Sequence, residues 1–132
     1  MTRDTHSCVL DASALLAFLH GESGEESVRS LLPGSWMSAV NWSEVVSQCV
    51  ARRVDWEGLR DDLASLGVTI LPMTPDDAEE AGRLWSATKA LGLSLGDRAC
   101  LALAKRLELP AITMDRTWAL LEQEEIVIRV LR

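Results

Sequence analysis

The chain has 132 residues, 48% of them hydrophobic and 25% charged, with a net charge of −7, which is enough for one domain around a single core. The acidic balance tells against a broad electrostatic grip on nucleic acid, which ordinarily needs a basic face, but leaves room for a nuclease whose metal ions bring positive charge locally. No apolar run reaches membrane-spanning length and no basic, apolar, small-residue leader is present, so a cytoplasmic protein without membrane contact is expected.

Ser7-Cys8-Val9-Leu10 is a short apolar run ending at Asp11 and reads as a buried strand. Residues 12–19 are helical and apolar almost all round, stopped by Gly21. Ser23-x-x-Glu26 has the form of a capping box for a short helix that ends at Pro33-Gly34. Trp36-Met37-Ser38-Ala39 reads as the second strand. Asn41-x-x-Glu44 opens a helix whose apolar stripe is Trp42, Val45, Val46, Cys49 and Val50, closing near Arg52-Arg53. Glu44 points away from that stripe, and the same spacing fits a reciprocal cap in which Glu44 bonds back to the backbone.

Asp55 is expected to cap a helix with Trp56, Leu59, Leu63 and Leu66 on one face, ended by Gly67. Val68-Thr69-Ile70-Leu71 is a strand, and Thr74-Pro75 is a cap followed by proline at the first position of a helix reaching to about Leu91. Gly96 then ends a turn, Asp97 opens a helix, and that helix is apolar on nearly every side through Leu107, so it sits inside the domain. Pro110 to Met114 is a brief strand ending in Asp115, a helix covers 118–122, and 126–131 forms a last strand whose Arg129 suits a sheet edge.

Strands alternating with helices at these lengths give an α/β protein, a three-layer α/β/α sandwich around a mainly parallel sheet. Such sheets bind ligands at the carboxyl ends of their strands. Asp11 and Asp115 fall at two such ends, and Asp97 and Glu44 belong to helices that start on that side. Each acid alone is accounted for by helix capping. Together they carry more. At roughly 6 Å and an effective dielectric near 20, each like-charge pair repels by about 3 kcal/mol. Summed over four acids, that rivals the stability of a whole domain, about 5–15 kcal/mol. Such a cluster holds protons or cations, and hard oxygen ligands with no His or Cys point to Mg²⁺ or Mn²⁺. The chemistry that uses clustered acids with these ions is phosphoryl transfer.

The same residues resemble the PIN domain family, in particular the small bacterial VapC-type toxins of toxin–antitoxin pairs. Val9-Leu10-Asp11-Ala12-Ser13-Ala14-Leu15-Leu16-Ala17 resembles the family's opening strand and acid. Ser38 to Glu44 resembles the second motif, Leu95-Gly96-Asp97-Arg98-Ala99-Cys100-Leu101-Ala102-Leu103-Ala104 the third, and Thr113-Met114-Asp115-Arg116-Thr117-Trp118 the fourth. The resemblance implies a Mg²⁺- or Mn²⁺-dependent endoribonuclease that hydrolyses RNA, forms a homodimer and is neutralised by a cognate VapB-type antitoxin. Carried over by position, Asp11, Glu44, Asp97 and Asp115 form the acidic, metal-binding quartet, with Asp11 and Asp97 as direct ligands. Ser13 and Thr113 support a carboxylate or a bound water. Some relatives carry a further acid beyond the fourth motif, where this chain has Arg116-Thr117-Trp118, so the resemblance leaves open whether one ion or two are held.

Arg98 and Arg116 each stand beside a site acid and are candidates to touch a phosphate; an ion pair is the duller role. Trp42, Trp56 and Trp85 sit at helical spacing with other apolar residues and are expected in core or interface packing; if the Trp56 and Trp85 helices expose apolar faces, an antitoxin helix laid into a groove would bury them. Cys8, Cys49 and Cys100 are widely spaced, so neither a disulfide framework nor a zinc site is expected. His6-x-Cys8 reads as a strand start rather than a metal pair, His6 as terminal and His20 as a helix end. Two rivals remain in view. One keeps the fold without catalysis, as an RNA- or protein-binding module. The other is a phosphoaspartyl protein, disfavoured because Asp11-Ala12-Ser13 lacks a second acid and no lysine follows Thr113. A dinucleotide-binding domain is excluded by the lack of G-x-G-x-x-G after the first strand.

Overall fold

A computed structural model describes residues 7–132; His6 lies outside the described residues. Five strands form one parallel sheet: β1 (Val9–Leu10), β2 (Ser35–Ser38), β3 (Val68–Leu71), β4 (Ala111–Thr113) and β5 (Ile128–Val130), in the order β3-β2-β1-β4-β5. Val9 pairs with Trp36 on one side and Ala111 on the other, and Leu10 pairs with Ile112. Alternation along the strands feeds two cores. Cys8, Leu10, Met37, Val68 and Ile112 face one, and Val9 and Ala111 face the other. β5 is an edge strand with Arg129 exposed on it.

The first core is closed by α1 (Ala12–Leu19), α2 (Glu25–Leu31), α3 (Ala39–Ala51) and α4 (Leu59–Ser65), which contribute Ala14, Leu15, Val28, Val45 and Leu63. The second is closed mainly by α7 (Leu95–Leu107), through Cys100, Leu101, Leu103 and Ala104, together with Trp118. Between β3 and α7 the chain forms α5 (Pro75–Arg83), α6 (Trp85–Thr88) and a 3-10 turn at Lys89–Leu91. Helices on both faces of a parallel sheet make the expected three-layer sandwich.

Helix starts differ from expectation in several places. α2 follows Gly24 in a left-handed conformation and has no side-chain cap, so Ser23-x-x-Glu26 is not a capping box. α3 begins at Ala39 behind Ser38, whose hydroxyl accepts from the Val40 amide. Asn41 and Glu44 therefore lie inside the helix, and the reciprocal cap is not made. Asp55 accepts from the Glu57 amide in a tight turn, and α4 starts only after Gly58, leaving Trp56 outside the helix. The single helix expected to Leu91 is broken after Arg83. Within its second part the Thr88 hydroxyl donates to the Leu84 carbonyl, competing with the regular ladder. The helix expected over 118–122 is a 3-10 turn at Arg116–Leu120. Thr74, by contrast, forms a full capping box with Asp77 ahead of Pro75.

Candidate active site

The order of the sheet creates the site. The chain winds outward from β1 through β2 to β3, then returns to β4 on the other side of β1. That reversal makes a topological switch point at the carboxyl ends of β1 and β4, where α/β sheets bind ligands. Asp11 follows β1 directly, and Thr113 and Asp115 stand at the end of β4.

Asp11 is buried and is the N-cap of α1, accepting from the Ala14 amide at 2.8 Å. The Ser13 hydroxyl donates to its Oδ1 at 2.7 Å, and the Thr113 hydroxyl donates to its Oδ2. Each hydroxyl has one proton, and both are committed to Asp11. Ser13 Oγ then accepts from the Met114 amide and Thr113 Oγ1 from the Asp115 amide, each at 3.0 Å. These bonds suit an ionised carboxylate. Burial works against them and, with the charge of Asp97, pushes the Asp11 pKa up to about 6.

Asp97 does not open its helix. α7 begins one turn earlier, capped by Ser94, and Asp97 completes a capping box at the third position: Ser94 Oγ accepts from the Asp97 amide at 3.1 Å and Asp97 Oδ2 from the Ser94 amide at 2.9 Å. Gly96 is accordingly a residue of the first turn, not the end of a loop. Half-burial raises the Asp97 pKa, the bonds to Ser94 oppose it, and the charge of Asp115 adds to it. Asp115 is the N-cap of the 3-10 turn, accepting from the Thr117 amide at 3.0 Å and its hydroxyl at 2.8 Å.

Glu44 lies in the second turn of α3 and reaches across to α7. Its carboxylate rests against Gly96, where a Cβ would overlap it. Asn41 Nδ2 donates to Glu44 Oε1 and to the Gly96 carbonyl, each at 2.9 Å. Partial burial raises the Glu44 pKa, the Asn41 bond opposes this, and Asp97 raises it further. Asp97 thus lies within the electrostatic reach of Asp11, Glu44 and Asp115.

The two arginines beside the acids turn elsewhere. Arg98 Nη1 donates to the Ala81 carbonyl of α5 at 2.8 Å, and Arg116 Nε to the Arg132 carbonyl at 3.3 Å. Among the described residues none of the four acids forms an ion pair with a Lys, Arg or His. Oxygen donors that share this end of the sheet and lack a cationic side chain fit a hard divalent ion. They do not constitute a ready shell, since no three Asp, Glu, His or Cys of the described residues are grouped closely enough to ligate one ion. Beneath them, the buried Cys100 thiol is pushed well above its ordinary pKa, first by burial and then by Asp11 and Asp97. It is a neutral apolar neighbour rather than a nucleophile.

Sequence reasoning missed Ser94, Asn41 and Gly96. Ser94-x-x-Asp97 before an apolar run is a recognisable capping box, so that signal was available. No local signal marks the Asn41–Gly96 pairing, because its partners are 55 residues apart.

The fold is similar to several solved structures. The Mycobacterium tuberculosis toxin VapC20, described as cleaving the sarcin–ricin loop, superposes with a TM-score of 0.67 at 16% identity, over 89% of this chain and 98% of that one. A toxin–antitoxin complex from Klebsiella pneumoniae gives 0.65 at 22% identity, over 85% and 90%. DNA-bound VapBC from Salmonella typhimurium gives 0.64 at 13% identity, over 96% and 98%. By sequence, none of the curated proteins compared with the chain matches it. The sequence model of the PIN domain matches residues 8–123, nearly the whole length, and by that match the chain belongs to the PIN domain family.

Proposed function

We propose that the chain is a metal-dependent endoribonuclease toxin that hydrolyses RNA phosphodiester bonds and is neutralised by a cognate VapB-type antitoxin. The reading is supported by the placement of Asp97 within electrostatic reach of Asp11, Glu44 and Asp115, acids from four separate stretches of chain with no cationic side chain paired to them among the described residues. Asp11 and Asp97 would hold Mg²⁺ or Mn²⁺ directly, with Glu44 and Asp115 completing the set. When bound, such an ion acidifies water and offsets charge on the leaving oxygen.

The chain's own residues supply position. Ser13 and Thr113 fix both oxygens of Asp11 by hydrogen bonds. The capping box fixes Asp97 on α7, and Thr117 fixes Asp115. Above about pH 6 Asp11 is ionised and able to ligate. RNA as substrate is supported by the likeness to a toxin described as cleaving the sarcin–ricin loop. An antitoxin partner is supported by the likeness to toxin–antitoxin complexes. The exposed Trp56 and Trp85 offer apolar surface for an antitoxin helix or for a second copy in a homodimer. The reading also takes the chain as a single cytoplasmic domain; among the described residues no helix is long and apolar enough to cross a membrane.

The test is cleavage of RNA by the purified chain with Mg²⁺ or Mn²⁺, its arrest by a chelator, and its loss in Asp97→Asn with the fold retained. Undiminished cutting by that variant rejects the assignment. The rival, a module that binds RNA or protein without cutting, has the open spacing of the acids in its favour. It predicts binding with no cleavage across a magnesium titration.

A further inference from the structure

Resting on the metal-site reading above, we infer that Asn41 and Gly96 are positioning residues: together they hold the Glu44 carboxylate against the first turn of α7, at the residue before Asp97. Glu44 needs such a device because it differs from the other three acids. Asp11, Asp97 and Asp115 are each tied to amides at their own helix starts. Glu44 lies inside α3, where the amides are used by the helix itself, and its flexible side chain has no cap to anchor it.

The orientation of Asn41 follows from chemistry alone. Its two partners, a carboxylate oxygen and a carbonyl oxygen, both accept, so the nitrogen end of the amide must face them. Its Oδ1 then points away, buried, with no donor among the described residues. An apolar side chain of similar size would fill this space but would leave the Gly96 carbonyl and Glu44 without their donor. Asn41 therefore spends its amide nitrogen on the Glu44 carboxylate and the Gly96 carbonyl and leaves its own oxygen without a protein donor among the described residues. Buried unsatisfied groups of this kind call for a functional explanation.

Gly96 makes the complementary case. It occupies an ordinary helical position rather than a left-handed one, so backbone conformation does not demand glycine there, and helix propensity opposes it. The space does demand it. A Cβ would overlap Glu44 Oε1, Oε2 and the carboxyl carbon. The overlapped atoms end a flexible side chain, so alanine would displace Glu44 rather than distort α7. One residue holds the carboxylate by hydrogen bonding and the other makes room for it.

The experiment measures Mn²⁺ binding to the purified full chain by calorimetry or electron paramagnetic resonance, with thermal midpoints of the metal-free proteins alongside. Outer partners that orient metal ligands are typically worth about 10–100-fold in affinity. Asn41→Leu and Gly96→Ala should each weaken Mn²⁺ binding by about that factor. Gly96→Ala should do so with an unchanged or higher metal-free midpoint, a combination that loss of a merely structural residue does not produce. In a Glu44→Ala background neither substitution should weaken binding further. If Asn41→Leu does not fold, Gly96→Ala and its cycle with Glu44→Ala decide the matter. Wild-type affinity in Gly96→Ala, with Asp97→Asn defective, overturns the inference and leaves the metal-site reading standing. Failure of the wild-type chain to bind Mn²⁺ overturns that reading, and this inference with it.

Discussion

The Thr113 hydroxyl donates to the Asp11 carboxylate across 102 positions of sequence, fastening the end of β4 to the end of β1. The same oxygen accepts from the Asp115 amide, so one hydroxyl links two acids of the site. Thr113→Val removes a bond to a buried carboxylate and should cost about 1.5–3 kcal/mol in urea unfolding at pH 7.5. It should also raise the Asp11 pKa above about 6, because that bond opposes the effect of burial. The acid limb of the pH–cleavage profile should move to higher pH accordingly.

The stability of the metal-free chain should carry the mark of Asp11. Its pKa is raised from 3.8 to about 6 on folding, so between these values the native state holds a proton that the unfolded state has released. Its contribution is fullest below pH 4 and is lost as pH rises to about 6. At about 1.4 kcal/mol per pH unit, the loss amounts to about 3 kcal/mol. Glu44 and Asp97 are raised as well and act with the same sign. Asp77 and Glu80 act with the opposite sign: burial raises both, but bonds from Arg106 to the first, and from Arg83 and Lys105 to the second, leave them below the usual range. The comparison that isolates Asp11 is therefore wild type against Asp11→Asn in chelator. The variant should gain on wild type from pH 4 to pH 7; a constant difference between them contradicts the shift.

Metal should reverse that trend. An ion bound only to the native state at 100 times its Kd adds about 2.7 kcal/mol. Mn²⁺ should therefore raise the thermal midpoint at pH 7.5, and the increment should shrink as pH falls through about 6 and protons compete for Asp11. An increment independent of pH would place binding elsewhere on the chain.

Asp97→Asn and Asp97→Ala should separate the two duties of one carboxylate. Asparagine still offers an oxygen to the Ser94 amide, while its neutrality relieves repulsion from Asp115, Asp11 and Glu44. Its metal-free midpoint should be unchanged or higher. Alanine loses the bond from the Ser94 amide and should cost about 1 kcal/mol. Cleavage should vanish in both. Equal stability of the two variants would show that the side-chain half of the capping box at position 97 contributes nothing.

Away from the site, Arg106 makes two bonds to Asp77, at 2.8 and 3.0 Å, joining α7 to α5. The Asp77 side chain is only 5% exposed. Arg106→Met should leave that carboxylate unpaired and cost about 2 kcal/mol, less than for a fully buried pair because Arg106 itself is partly solvated. RNA cleavage by the folded fraction should be unaffected.

What the sequence shows well is whatever repeats locally. α1 and β3 fall on the expected residues because their apolar runs are bounded by Asp11 and Gly21 and by Gly67 and Pro72. The acids could be proposed as a group because the α/β pattern assigns them to one edge of the sheet. Helix starts were harder to read. Asp97 and Asn41 look like helix starts in the sequence, yet each lies one turn inside its helix, because the serine that begins it, Ser94 or Ser38, is less conspicuous than the acid or amide after it. Arg98 stands next to Asp97 in sequence, yet neighbouring helical positions diverge by roughly 100°. The guanidinium accordingly bonds to α5. The seat of Glu44 depends on α3 meeting α7, a tertiary event with no local trace.

Three of the four acids also terminate helices, and this bears on how a descendant of the chain would decay. If selection for cutting were lifted, positions 11, 97 and 115 would still be held to residues whose side chains can accept from the amides there. Glu44 caps nothing, so it and its glycine neighbour would be the first to drift. Among similar sequences, the second acid is therefore the position that helix capping alone does not account for.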